Sequence, residues 1–465
     1  MRTNSSTCSR KATISLFWRL KRRCLTRDGT LKSAWLGKMR HKTAATYTVG
    51  CKVNQYETAL IEQELEERGF EIVPFSQTAD YYLINTCTVT LRTDQKCREY
   101  IRYALRRNQM AKIVVTGCYA ERDPDELRKI SPRCQVFDNH QKRHIAGYLA
   151  KETFGIEETG NSLEKHIMIS RFPGHTRAFV KVQDGCNSFC SYCIIPYVRK
   201  EVSSRPINEV LSEAKKLLDS GYKEIVLCGI NLGNYHELIP LLDGLNSLPA
   251  LERIRISSIE PLHIDQEFVG AMKSLSKICH HLHIPLQSGD DHILKLMNRK
   301  YTTQDYQRII EMVRKSIPDV GISSDLIVGF PGETEERFCN TYDFVKKMGF
   351  SKIHIFRFSP RPGTLASRLP ERVSASEVRR RSRILGNLEK ELREKFYRQY
   401  LNKELVVLFE RKVRGKRENG KVLYSGFSGN YIRVLAPLGE EELNRLITVK
   451  INDVDCGFAI GEILH

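Results

Sequence analysis

Three cysteines spaced for metal chemistry carry the strongest chemical signal in this sequence: Cys186, Cys190 and Cys193. Three thiolates can hold three irons of a 4Fe–4S cluster and leave the fourth iron open. A chelating ligand such as the amino and carboxylate groups of S-adenosylmethionine can occupy that iron. Electron transfer then cleaves the sulfonium and generates a carbon radical. The competing chemistry is a structural zinc site, which needs four closed ligands. No further cysteine appears until Cys228, so a local four-cysteine knuckle is excluded, while a distant histidine stays open as a fourth ligand.

Three more cysteines repeat one local theme. Cys51, Cys87 and Cys118 each follow an apolar extended run, and a helical stretch usually comes next. The first such stretch reads as a helix from about Tyr56 to Arg68, closed by Gly69. This alternation suits βαβ units with crossover helices. The carboxyl ends of parallel strands lie along one edge of a sheet, where ligands bind. Three strand-end cysteines would therefore converge, which argues for a second metal site. Taken singly, each reads as a buried structural thiol. Cys97, Cys134, Cys228, Cys279, Cys339 and Cys456 are assigned to packing, Cys228 least firmly because it ends a strand.

The elements that must position the first triad begin near Phe179. Six strand candidates alternate with helices: Ala178–Val182, Glu224–Cys228, Arg253–Ser257, His281–Pro285, Gly321–Val328 and Lys352–Phe358. Between the first two, Ile207, Val210, Leu211, Ala214, Leu217 and Leu218 mark one helical face ended by Gly221. Six β/α units predict a partial barrel with chemistry at the carboxyl ends of its strands, where the Cys186–Cys193 loop falls. Asn231, Ser258, Glu260, Gln287 and Asp325 also fall at strand ends; Asn231 and Gln287 are the chosen S-adenosylmethionine contacts, with loop capping the alternative for each. A charged helix spans about Ser374 to Leu401. Five short strands follow, Leu405–Phe409, Val422–Tyr424, Tyr431–Leu435, Ile447–Ile451 and Phe458–Ile463, with a turn at Asn419 and Gly420. They predict a small antiparallel β-barrel of the oligonucleotide-binding kind.

The predicted class is therefore α/β in three parts: a parallel-sheet domain at 43–150, a partial (β/α)6 barrel with its helical linker at 170–400, and the small barrel at 402–465. Residues 1–42 form a basic extension holding twelve of the 74 Lys and Arg residues and only Asp28 of the 55 acidic ones. This extension reads as a disordered tail or a mis-assigned start, with translation beginning at Met39; organellar import is the minor alternative. Of the formal net charge of +19, that extension carries twelve cations against one acid, and the mildly basic remainder suits a polyanion partner. Arg411–Arg417 is a basic run suited to tracking phosphates, and Tyr424, Phe427 and Tyr431 either stack bases or fill the barrel core. No apolar run reaches the ~18–20 residues of a membrane span, so no membrane role is expected. Fourteen cysteines spread through a chain without a signal peptide read as reduced thiols.

The segment Gln183–Arg199, with Tyr192 before the third cysteine, resembles the radical S-adenosylmethionine methylthiotransferases. Thr48–Glu57, Asn85–Thr90 and Val115–Ala120 resemble the three cysteine blocks of that family's N-terminal domain. Ser257–Pro261, His283–Asp291, Val328–Thr334 and Ser359–Thr364 extend the likeness, and the tail resembles the TRAM RNA-binding domain. The versions at Gly50–Glu57 and Leu286–Asp291 are most similar to the branch acting on tRNA. Lys200 and Asp138 stand where the family tends to have Gly.

The resemblance implies transfer of a methylthio group to carbon 2 of N6-threonylcarbamoyladenosine beside the tRNA anticodon, in the cytoplasm. It implies two 4Fe–4S clusters, one on Cys51, Cys87 and Cys118 and a second, S-adenosylmethionine-binding one on Cys186, Cys190 and Cys193. tRNA and an unidentified electron donor are the implied partners. Alternatives are the same chemistry on isopentenyladenosine or a ribosomal protein, and a non-catalytic RNA-binding metalloprotein.

Overall fold

The computed structural model describes residues 42–155, 168–418 and 421–464, so residues 1–41 and the turn at Asn419 and Gly420 lie outside the described residues. The first unit is a parallel sheet of β1 (Thr43–Thr48), β2 (Glu71–Ile72), β3 (Tyr81–Thr86), β4 (Lys112–Gly117) and β5 (Cys134–Val136). β3 is buried along its whole length, which is why its sequence is a continuous run without polar alternation. The strand order is β2-β1-β3-β4-β5. It reverses between β1 and β3, where the departing loops diverge and open a crevice. Cys51 follows β1, Cys87 follows β3 and Cys118 follows β4, so all three sit at that edge. The helix expected from Tyr56 starts earlier, at Lys52, because Cys51 stays extended as its N-cap residue. It ends before Gly69, whose φ of +91° suits only glycine readily.

The second unit is a row of parallel strands: β6 (Ala178–Lys181), β9 (Glu224–Cys228), β10 (Arg253–Ile256), β11 (His281–His283), β12 (Gly321–Val328) and β13 (Lys352–Arg357). A short antiparallel pair, β7 (Gln183–Asp184) and β8 (Ser203–Ser204), interrupts the first crossover. Single bridges, Ile254 to Ile278 and Ser258 to His283, join β10 to β11, so the six strands form one curved row. Among the described residues β6 and β13 do not pair, and the barrel is open between them. The helix Lys52–Glu67 packs on the β6 side. Its Val53, Tyr56 and Ala59 share one apolar core with Ala178, Phe179 and Val180. No helix among the described residues is long and apolar enough to cross a membrane.

The helix Ala375–Arg398, capped by Ser374, buries Leu385, Leu388 and Leu392 in that same core and leads to the third unit. There β14 (Glu404–Glu418), β15 (Lys421–Ser428), β16 (Arg433–Pro437), β17 (Leu446–Asp455) and β18 (Phe458–Ile463) close into a barrel. All its pairs are antiparallel except β16 with β18. Five strands of alternating direction cannot close a ring without one parallel pair, and that is where it falls. The small barrel docks under the amino ends of the central strands. Arg253 donates to the carbonyls of Phe427 and Val406, and Arg255 to those of Ser428 and Gly429.

Candidate active site

The Cys186–Cys193 loop leaves β7 at the carboxyl end of the central strands. Gly185 opens it at φ +72°, where a Cβ would lie 2.0 Å from the Glu201 carbonyl, so only glycine fits. Ser191 pins the far side: its N–H and hydroxyl donate to the carbonyls of Met297 and Leu296, at 3.0 and 2.7 Å. Arg299 places a guanidinium nitrogen 3.2 Å from the Cys190 sulfur and also pairs with Glu260. Burial raises the Cys190 thiol against the pull of Arg299, and pushes Cys193 up to about 12. None of the three is in a disulfide. A loop of three free sulfurs with one cation beside it fits a metal cluster, whose binding displaces thiol protons.

The other cysteines converge as their strand-end positions require. Gly50, at φ +128°, lies so close to Cys87 that a Cβ on it would sit 2.9 Å from the Cys87 Cβ. Gly117, at φ +98°, likewise presses on the Thr86 carbonyl, 2.4 Å from where its Cβ would be. These two glycines let β1, β3 and β4 end side by side. Burial raises the Cys87 thiol, and the neighbouring Cys118 and Cys51 add to it, while Cys51 itself is exposed. Cys228 is buried at the end of β9, and burial foremost, with Cys51 next, holds its thiol up. The structure thus places Cys228 beside the convergent trio as a packed residue. Lys200 pairs with Glu121, and Asp138 with the Gln141 turn; neither touches a cysteine.

Arg199 ties the two loops together, a role no spacing in the sequence could signal. It donates to the Cys118 sulfur at 3.4 Å, to Asn54 at 2.9 Å, to both Glu57 oxygens and to Asp184 at 2.8 Å. Lys142 and Lys181 complete the ring around Glu57, at 2.5 and 3.2 Å. Burial alone would raise the Glu57 carboxyl, but Arg199, Lys142 and Lys181 together hold it well below the usual carboxylate range. A second clasp lies at the other side of the interface, where buried Arg361 donates to Thr88 at 2.7 Å and Asp94 at 2.5 Å.

Between these clasps lies a cavity of about 170 Å³. Cys193 and Tyr192 form one wall, Val89 and Thr90 of the loop after Cys87 another, and Gln287, Asp325, Ile327 and Phe356 its barrel side. Both cysteine loops therefore front one space. Gln287 holds φ +70°, an uncommon conformation for a side chain of its size, fixed by hydrogen bonds to Asp325 and Ile327 of β12. Of the strand-end polar residues, Gln287 and Asp325 reach the cavity. Asn231 instead caps its own turn, accepting from the Gly233 N–H at 3.2 Å. Glu260 is engaged by Arg299, and Ser258 lies at the bridge to His283. The aromatic candidates of the tail resolve differently. Tyr424 is buried in the small barrel. Tyr431 stacks on Phe427 and on His281 at the base of the central barrel, with Arg255 over its ring. These rings are engaged in packing, which removes them as base-stacking platforms. Arg411 and Lys412 of the basic run are exposed.

Sequence comparison bears directly on this arrangement. A model described as Radical SAM superfamily matches residues 180–345, and one described as Uncharacterized protein family UPF0004 matches residues 43–138. Threonylcarbamoyladenosine tRNA methylthiotransferase MtaB of Bacillus subtilis is 39% identical, across 88% of this chain and 93% of that protein. The chain belongs to the radical S-adenosylmethionine methylthiotransferase family. This methylthiotransferase is thus a transferase that works with S-adenosylmethionine and iron–sulfur chemistry. The MtaB of Chlamydia pneumoniae is 37% identical to it, across 90% of this chain and 97% of that one. The tRNA-2-methylthio-N(6)-dimethylallyladenosine synthase of Ehrlichia canis is 36% identical, across 81% and 90%. Among solved structures, the radical S-adenosylmethionine methyltransferase TsrM of Kitasatospora setae shares the fold, with a TM-score of 0.54 at 15% identity over 71% of this chain and 75% of that one.

Proposed function

We propose that this methylthiotransferase adds a methylthio group to carbon 2 of N6-threonylcarbamoyladenosine in tRNA, with two 4Fe–4S clusters, in the cytoplasm. Cys186, Cys190 and Cys193 would hold the cluster that binds S-adenosylmethionine, and Cys51, Cys87 and Cys118 the second. The observation that carries this reading is the single cavity lined both by Cys193 and by the Val89–Thr90 loop that follows Cys87.

An aromatic C–H bond has no acidic proton and no leaving group, so acid–base side chains cannot open it. The bound clusters and S-adenosylmethionine supply the radical and the sulfur. The protein's own part is positioning. Arg299 steadies Cys190, and Arg199 holds Cys118 and the Glu57 ring in one buried unit. Tyr192, Ile195, Ile327 and Phe356 give the cavity apolar walls that keep water from a reactive carbon. Gln287 offers an amide for orienting S-adenosylmethionine, while Asn231 shapes the neighbouring loop. Exposed Arg411 and Lys412 offer phosphate contacts for the tRNA. An electron donor must approach the barrel mouth from outside.

Mass spectrometry of tRNA nucleosides from cells lacking the gene tests the assignment. Loss of the methylthio form of threonylcarbamoyladenosine alone supports it. An unchanged tRNA profile, or loss of a methylthio dimethylallyl nucleoside, overturns it. Anaerobic iron counting tests the two clusters: about eight irons per chain are expected, and about four would leave Cys51, Cys87 and Cys118 without that role.

A further inference from the structure

Beneath the cavity the inner face of the central barrel is polar where such barrels are ordinarily filled with branched aliphatic side chains. Strand register stacks the inward side chains in layers: Ile327 beside Phe356 at the cavity, and Asp325 beside His354 one step below. His283 joins that lower layer from β11. Its Nε2 lies 3.2 Å from Asp325 Oδ1, its ring 5.7 Å from that of His354, and one polar atom of each residue lies within 4.8 Å of the others. Ser323 holds His283 Nδ1 at 3.0 Å and so orients the ring. His354 is exposed and His283 and Asp325 half-buried, so three polar groups stay accessible deep inside a barrel.

We propose that this chamber of His283, Asp325 and His354 receives the threonylcarbamoyl arm of the adenosine and selects it over a dimethylallyl arm. The inference rests on the functional reading above and deepens it. The threonylcarbamoyl arm carries a carboxylate, a hydroxyl and urea N–H groups; the dimethylallyl arm is hydrocarbon. An imidazole can donate to the carboxylate, and Asp325 can accept from N–H or hydroxyl. A hydrocarbon arm would leave the His283–Asp325 pair and the Ser323 contact in place but would bury the His354 imidazole without a partner, at a cost that disfavours it.

The same three residues have a donor set that a divalent metal accepts. The surrounding charge favours an anion instead. Lys52, next to Cys51, has no ion-pair partner among the described residues, and its charge reaches the chamber: desolvation inside the barrel foremost, then His283, Lys352 and Lys52, outweigh the opposing pull of Asp325 and keep the His354 imidazole below its usual range.

The test uses anaerobic, cluster-loaded enzyme and anticodon stem-loop RNAs bearing either threonylcarbamoyladenosine or dimethylallyladenosine. Affinity is read by fluorescence anisotropy, and KM and kcat separately. His354→Phe is expected to weaken binding of the threonylcarbamoyl RNA about tenfold and raise its KM more than it lowers kcat. Binding of the dimethylallyl RNA should hold or improve, iron content should match the wild type, and His354→Asn should restore part of the preference. An unaltered ratio between the two RNAs in H354F overturns the inference alone. So does a tightly held non-iron divalent metal in the wild type that H354F lacks. A wild-type enzyme acting on the dimethylallyl RNA instead sinks the functional reading, and this inference with it.

Discussion

Glu57 is the residue on which the interface between the first two units turns. Its carboxyl is buried and held low by Arg199, Lys142 and Lys181. A carboxyl lowered on folding contributes stability that is complete above its unfolded pKa, near 4.3, and is lost as pH falls toward the folded value. Denaturant unfolding followed by circular dichroism should therefore show stability falling as pH drops from about 5 toward 3, with Glu57→Gln flattening that limb. Arg199→Met should cost about 3 kcal/mol or more at neutral pH, because it strips the largest partner from a buried charge. A loss under about 1 kcal/mol would mean that Lys142 and Lys181 suffice. None of this was legible in the sequence. Glu57 and Arg199 lie 142 positions apart, and a charge buried by distant partners leaves no local pattern. That Cys186, Cys190 and Cys193 share one loop was legible because they lie close in sequence, whereas the meeting of His283, Asp325 and His354 was not, because only strand register brings them together.

At the level of elements, the ends of β1 and β4 decide whether the first three cysteines can meet. Gly50→Ala would place a Cβ 2.9 Å from that of Cys87 at a φ of +128°. That variant should lose about four irons per chain while the Cys186–Cys193 loop keeps its own, so reductive cleavage of S-adenosylmethionine survives and methylthio transfer fails. Iron analysis together with product assays checks this; retention of about eight irons would show that the loop adapts. The strands themselves were readable from sequence because buried parallel strands are built on continuous apolar runs, as in Tyr81–Ile84 and Ile225–Cys228. Helix starts were less so. Lys52–Glu67 begins before its apolar periodicity does, since Val53, Tyr56 and Ala59 face the neighbouring barrel and not their own sheet.

For the whole molecule, two contacts separate roles that the tail's composition blurs. Tyr431 and Phe427 stack beneath the central barrel, whereas Arg411 and Lys412 face solvent. Tyr431→Ala should cost about 3 kcal/mol in unfolding experiments and leave the salt dependence of RNA binding unchanged. Arg411→Glu with Lys412→Glu should do the reverse: stability within about 0.5 kcal/mol of the wild type, with weaker RNA binding and a shallower salt slope. Equal effects of both changes on RNA affinity would refute the division. The basic run suggested RNA contact from sequence, but the seat of Tyr431 on His281 needed the two barrels in hand, because 150 positions of chain separate the rings.

That seat has a bearing on ancestry and engineering. A nucleic-acid module strung on a loose tether can be traded between enzymes with little harm to either. Here Arg253 and Arg255 spend their guanidinium donors on the carbonyls of the small barrel, and Gly321 leaves room for the Asn430 carbonyl alone. Cutting the tail away would strip a bulkhead from the catalytic body and leave Arg253 and Arg255, paired with Glu224 alone, with donors that have lost their carbonyl acceptors, so the two should be inherited, and transplanted, as one piece.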